Sequence, residues 1–374
     1  MILLVVQLLI VLLYPSVHAG LTDLCGLNCS PQNKMRRHFY IYWNVPTFMC
    51  HKYGLDFSEV KMFNILQNTN DKFLGNVIGI LYDPGEFPAM VPHEHYPQKD
   101  KYMRRNGGVP QMGKFDKHRA AFIRDVDARI PNVDFSGIGV IDFERWKPIF
   151  RQNWGTTKVH RDMSIELVKK IHPLWSHSTV EAEATRKFEK YARYFMEETL
   201  TLAKKMRGKA DWGYYGYPYC YNLSPGNPGY DCDSNTMSEN NKLSWLFNSQ
   251  EVLLPSVYVR YFLKPEERAG LVQGRVKEAV RISNNLKHKP RVIPYWWYKY
   301  TDQMDVYLSE KDVQNTFTEI LFNDGEGIII WGSSGDVDSE SKCKRLRKYL
   351  MTVLGPIAAS VLKAANDGAP LRFE

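Results

Sequence analysis

Short apolar and aromatic runs alternate with amphipathic stretches along most of the chain. The runs are HFYIYWNVP (38–46), NVIGILYDPG (76–85), GIGVIDFE (137–144), DWGYYGYPY (211–219), VLLPSVYV (252–259), RVIPYWWYKY (291–300) and GEGIIIWGSS (325–334). They are too continuously apolar for strands with one wet face, and read as strands buried on both faces. The stretches between them predict helices over about 115–130, 265–287, 309–322 and 339–365. The clearest helix opens on a capping box, Ser178 with Glu181, carries Phe188, Tyr191 and Phe195 at helical spacing, and stops at Gly208. Strand–helix alternation predicts a parallel sheet covered by helices. A single α/β domain over 38–366, a distorted TIM-like β/α barrel of about seven parallel strands with an eighth missing or irregular, accommodates this length. A doubly wound open sheet is the rival, but no glycine-rich phosphate fingerprint follows the first strand.

The chain begins MILLVVQLLIVLLYPSVHAG. The apolar run is shorter than the roughly 20 residues of a membrane span and is followed by a small-residue cleavage pattern. Residues 1–19 therefore read as a signal peptide, 20–37 as an N-terminal extension or propeptide, and 367–374 as a C-terminal tail. The expectation is a secreted, extracellular monomer without a membrane anchor. Six cysteines in an exported chain favour disulfides. Cys220 and Cys232 flank a Pro/Gly-rich loop that a bridge can close, and a Cys50–Cys343 bridge would tie the ends of the fold together. Cys25 and Cys29 lie in the N-terminal extension. Asn28 and Asn222 each open a glycosylation sequon. The net charge of +8 points to a polyanionic partner. For an exported protein, acidic polysaccharide is a better candidate than nucleic acid.

The strands end in residues that core packing would not select: Asn44, Tyr82 with Asp83, Asp142 with Glu144, Tyr214 with Tyr215, Ser256 with Tyr258, Trp296 with Trp297, and Trp331 with Ser333. In β/α barrels the carboxyl ends of the strands build the active site. Asp142 and Glu144, two residues apart on a strand, share a face. Each opposes the other's ionisation, so one keeps its proton to higher pH. Such a pair suits glycosidic bond cleavage; the plainer reading is a solvated acidic strand end. Sugar rings stack on aromatic faces, and Trp146, Tyr215, Tyr258, Trp296, Trp297 and Trp331 are the candidates, although core packing explains Trp146 and Trp296 equally well. No metal or cofactor is expected. There is no HExxH, His93 and His95 lack an obvious third ligand, and no GxSxG elbow occurs.

The motifs YWNVPTFMC, ILYDPGEFPA, RNGGVPQ, GIGVIDFERWKPIFRQNW, WGYYGYPYCYN, LLPSVYVR, GLVQGRVKEA, YWWYKY and IIIWGSS, in this order from about His38 to Ile357, resemble the hyaluronidases of glycoside hydrolase family 56, as found in wasp and bee venoms. The resemblance implies endohydrolysis of hyaluronan at the β-1,4 bond after N-acetylglucosamine, with chondroitin as a weaker substrate. It implies that Glu144 is the general acid and later the base. Asp142 would orient the substrate's own N-acetyl group, whose oxygen is the nucleophile. Tyr215 would bind the acetamide, and Tyr258 and Trp331 would complete the sugar site. Tyr82, Asp83, Ser256, Arg275 and Ser333 match groove positions. The family pairs Cys50 with Cys343 and Cys220 with Cys232. One departure is Lys147, where arginine is common, which keeps the charge but loses a bidentate contact. Lys101, Arg104 and Arg105 are further candidates to meet glucuronate carboxylates, whereas KCKRLRKYL (342–350) reads as a basic helix face. The rival functions are a hyaluronan-binding protein on an inactive scaffold and a chitinase-like glycosidase. The chitinase signature DxxDxDxE is absent.

Overall fold

Period-two alternation sorts the strand side chains into two populations. In the computed structural model, which describes residues 38–92 and 102–373, Tyr42, Ile78, Ile80, Ile138, Val140, Val252, Leu254, Ile293, Tyr295 and Ile329 pack together in an inner cluster. Their immediate neighbours point the other way. Ile41, Trp43, Ile328 and Ile330 join one outer cluster, with residues of the Glu310–Phe322 and Gly355–Asp367 helices. Leu81, Ile141, Trp212 and Tyr214 join another, with residues of the Phe115–Arg129 and His177–Met206 helices. Burial on both sides is the physical reason for the continuous apolar runs.

The strands pair in parallel. Tyr40–Asn44 lies between Gly327–Trp331 and Leu66–Gln67, and Tyr295–Trp297 pairs with the far side of Gly327–Trp331. Ile78–Tyr82, Ile138–Asp142 and Asp211–Tyr214 form a second set, and Val252–Leu253 pairs with Arg291–Val292. Single bridges, Tyr215 to Leu254 and Ser256 to Tyr295, link these sets. Gly139 is in register with Trp212 of the neighbouring strand, whose indole lies over it; a Cβ there would meet the ring at 2.5 Å. The irregular element left open by the hydrophobic pattern is Leu66–Gln67, only two residues long. Between it and Ile78 an asparagine replaces the backbone ladder. Asn68 Oδ1 accepts from the amides of Val77 and Ile78 at 2.8 and 3.0 Å, while Nδ2 donates to the Ile78 carbonyl at 3.0 Å. The side-chain amide thus stands in for a peptide group.

The predicted helices form at or near their expected bounds, with two corrections. Ser176, not Ser178, caps the His177–Met206 helix, accepting from the Thr179 amide, and Glu181 pairs instead with Arg161. The 339–365 stretch is not one regular helix: it runs as Glu340–Tyr349, a π-turn over Leu350–Leu354, and Gly355–Asp367. Pro356 has no amide to donate, so the regular ladder breaks there. The Lys158–Ile171 helix and two antiparallel hairpins, Ala89–Pro92 with Tyr102–Arg105 and Lys299–Tyr300 with Gln303–Tyr307, were not foreseen. Disulfides join Cys50 to Cys343 and Cys220 to Cys232. Residues 1–37, read from sequence as signal peptide and extension and including Cys25, Cys29 and Asn28, lie outside the described residues, as do His93, His95 and Lys101.

Candidate active site

The inner-face parity of Ile138 and Val140 continues through Asp142 to Glu144, so both carboxyls emerge above the inner cluster, while Phe143 turns into the outer one. The same parity carries Tyr82 above Ile80, Tyr215 above Gly213, Ser256 and Tyr258 above Leu254, and Trp331 above Ile329. Asp142, Glu144, Tyr215, Tyr258, Tyr295, Trp331 and Ile80 line one cavity of about 170 Å³. Tyr295 and Ile80 were missed in the sequence; their parity with Trp297 and with Tyr82 was the available signal. The walls are aromatic. Tyr258 stacks on Trp331 at 5.8 Å, Tyr215 meets Tyr295 edge-on at 5.1 Å, and Trp331 Nε1 donates to the Tyr82 hydroxyl at 2.8 Å. Tyr82 in turn stacks on Phe73.

The electrostatics are those of crowded acids. Burial, then the charges of Glu144 and Asp83, push the Asp142 carboxyl up to about 8. Glu144, at the mouth, is also raised by loss of water, against the pull of Lys147 and Arg145. Burial is the main cause that lifts the Tyr215 hydroxyl far above the usual phenol range, with Glu144 adding to it and Ser256 and Tyr258 bonding to it. Burial lowers the Lys147 ammonium while Glu144 supports its charge.

Other expected site residues have structural duties. Asp83, in left-handed backbone at φ +42, accepts both arms of Arg105 at 2.8 Å and Arg145 Nε at 3.0 Å. Burial alone would raise its carboxyl, but the two guanidiniums outweigh it and hold it below the ordinary range. Arg105, one of three sequence candidates to meet glucuronate carboxylates, is paired with Asp83. Ser333 caps the Ser334–Asp336 turn. Arg275 donates to the Ser256 carbonyl at 2.7 Å and to Asn222 Oδ1 at 3.1 Å, supporting the Tyr258 strand end from behind.

Two readings left open in the sequence are decided, and one expectation is corrected. Trp146 is fully buried, donates to the Pro88 carbonyl at 2.6 Å and packs on Phe143 and Phe188, so it is core and not a sugar platform. Trp296 is likewise buried on the outer parity, bonded to Thr316. Asn222 is not a surface sequon: it is fully buried, its Nδ2 donates to the carbonyls of Tyr230 and Leu271, and its Oδ1 accepts from Arg275. A glycan on Nδ2 has no room. Among the described residues, no group of three or more His, Cys, Asp or Glu side chains is placed to hold a metal ion.

The chain matches the hyaluronidase model of the glycoside hydrolase 56 family over residues 30–369. It is 61% identical over 346 residues to a hyaluronidase of Polistes annularis, covering 92% of this chain and 93% of that one. It is 50% identical over 338 residues to a protein of Vespula vulgaris named inactive hyaluronidase B, covering 90% and 98%. Among solved structures, bee venom hyaluronidase in complex with a hyaluronic acid tetramer superposes with a TM-score of 0.83 at 52% identity, covering 85% of this chain and 98% of that one.

Proposed function

The chain belongs to the hyaluronidases of glycoside hydrolase family 56, and on that premise we propose that it is a secreted endo-hydrolase of hyaluronan that cleaves the β-1,4 bond between N-acetylglucosamine and glucuronate. The observation that carries this reading is the juxtaposition of Asp142, Glu144 and Tyr215 in one aromatic-walled cavity. Its 170 Å³ is room for about six waters, which suits an acetamido group and part of the ring that bears it. Glu144, at the mouth, donates its proton to the glycosidic oxygen. The acetamide oxygen attacks C1, breaking the bond to the leaving sugar and forming a cyclic oxazolinium ion. Asp142 takes the acetamide N–H and balances the positive charge, and Tyr215 holds the acetamide in line. Glu144, now ionised, removes a proton from the water that opens the ring at C1. Two inversions leave the configuration retained.

The proton inventory supports these roles. Both carboxyls of the pair are raised, that of Asp142 to about 8. An acetamide N–H bonded to Asp142 favours its ionised form, and the proton retained by the pair is then carried by Glu144, where it is needed. Because both carboxyls are raised, activity belongs on the acid side and falls as pH climbs past the pair.

The single bridges between strand sets and the Asn68 link support a closed, distorted β/α barrel over 38–366. No helix among the described residues is long and apolar enough to cross a membrane, and the leader pattern supports export. A relative named inactive means that family membership alone does not decide turnover; here both carboxylates favour it. Chondroitin, which also carries an N-acetyl hexosamine, is expected to be a poorer substrate. The test is reducing-end release from hyaluronan at pH 4–6, wild type against Glu144→Gln. A loss of at least about 10²–10⁴-fold with binding retained supports Glu144 as the acid. Equal rates in the two proteins would place the chemistry elsewhere.

A further inference from the structure

Beyond Glu144 the chain leaves the cavity and builds a second surface. The segments that follow two neighbouring strands, 145–155 and 216–221, meet there. Trp154 is 59% exposed, an indole left open to water. It meets Tyr221 edge-on at 6.0 Å, and Tyr221 stacks parallel to Tyr219 at 5.5 Å. Lys147 Nζ sits 5.0 Å from the centre of Tyr219 and 5.9 Å from that of Trp154. Lys147 makes no ion pair with any of the described residues; its ammonium lies over the two rings and feels the charge of Glu144. None of Lys147, Trp154, Tyr219 and Tyr221 lines the cavity. Glu144 borders both places: it lines the cavity, and its charge acts on Lys147 and Tyr219.

A general acid stands between the sugar that keeps C1 and the sugar that leaves. If the acetamido sugar fills the cavity, the leaving sugar lies on the far side of Glu144. In hyaluronan that sugar is a glucuronate: a flat, partly apolar ring with one carboxylate. From the shelf's position, the exposed indole of Trp154 and the Lys147 ammonium held over Tyr219, we infer that Lys147, Trp154 and Tyr219 form the leaving-side subsite and recognise the glucuronate there. Lys147 pairs with its carboxylate and the exposed indole of Trp154 carries its ring, with Tyr219 backing the ammonium. This rests on the hyaluronan reading above and deepens it.

The same subsite holds an acceptor when the reaction runs towards transfer. An acceptor hydroxyl attacks C1 of the oxazolinium and gives its proton to Glu144 as the new C1–O bond forms and the acetamide oxygen leaves C1. The subsite's occupancy therefore sets the partition of one intermediate between a sugar hydroxyl and water. The experiment digests hyaluronan hexasaccharide, with excess glucuronate-ended tetrasaccharide as acceptor, using wild type, Lys147→Gln, Lys147→Arg and Trp154→Ala. Transfer and hydrolysis products are counted by mass. The polymer is also compared with hyaluronan whose carboxylates have been reduced to alcohols.

Lys147→Gln is expected to lower kcat/KM on hyaluronan about 10- to 100-fold, to lose most of the preference for native over reduced polymer, and to lower the transfer-to-hydrolysis ratio. Lys147→Arg restores most of each. Trp154→Ala lowers the ratio about 2- to 10-fold, and its exposure leaves the fold intact, checked by an unchanged Tm. An unaltered ratio in both Lys147→Gln and Trp154→Ala, with hyaluronan still cleaved by the wild type, overturns the leaving-side assignment alone. A wild type that does not cleave hyaluronan takes the functional reading down with it.

Discussion

Replacing Asp142 by asparagine removes one proton-binding group while keeping its shape. The folded carboxyl titrates at about 8 against an ordinary 3.8. A raised carboxyl means that the folded state binds the proton more tightly than the unfolded chain. Its contribution to stability is whole below pH 3.8 and is lost as pH rises through 8. Four units at about 1.4 kcal/mol each set a ceiling of roughly 5–6 kcal/mol. Part of the rise comes from the Glu144 and Asp83 charges, which the surrounding solvent screens, so a difference of about 2–4 kcal/mol is expected at pH 8.5 and near zero change from the acid baseline at pH 4. At roughly 2 °C per kcal/mol for a chain of this size, the variant gains about 4–8 °C in Tm relative to wild type across that range. Thermal unfolding of both proteins by circular dichroism at half-unit steps from pH 4 to 9 measures it. The acid end supplies the cost of the amide itself. A variant-minus-wild-type Tm difference that stays constant, or that falls as pH rises, refutes the reasoning, because Asp142 would then be ionised throughout.

Removing the Asn68 amide with alanine strands the Val77 and Ile78 amides in a buried setting, and should cost about 2–5 kcal/mol in urea unfolding. The Cys50–Cys343 bridge closes a separation of 293 residues and Cys220–Cys232 one of 12; chain entropy predicts losses of roughly 5–6 and about 3 kcal/mol when each is replaced by a serine pair. Intact and peptide mass spectrometry of secreted protein should find Asn222 without a glycan, and a substantially occupied Asn222 would contradict its buried position.

The hydrophobic pattern alone determined where seven of the strand segments lie and, through the period of two, which side chains share a face. Asp142 with Glu144, Tyr215 in register with Gly213, and Tyr258 with Ser256 were legible because a strand's alternation is local. The same logic could have placed Trp296 outside and Tyr295 inside, since neighbours on a strand cannot share a face. What that local pattern could not supply was partnership across the chain. That Arg105 belongs to Asp83 and not to substrate, that Asn222 is walled in by Tyr230, Leu271 and Arg275, and that Asn68 replaces a ladder all depend on residues tens of positions apart or on backbone that leaves the strand pattern. So do the heights of the two carboxyls' titrations. Two acids on one face repel wherever they stand, but how far Asp142 rises is decided by the water taken from it, and only the packed tertiary structure removes that water.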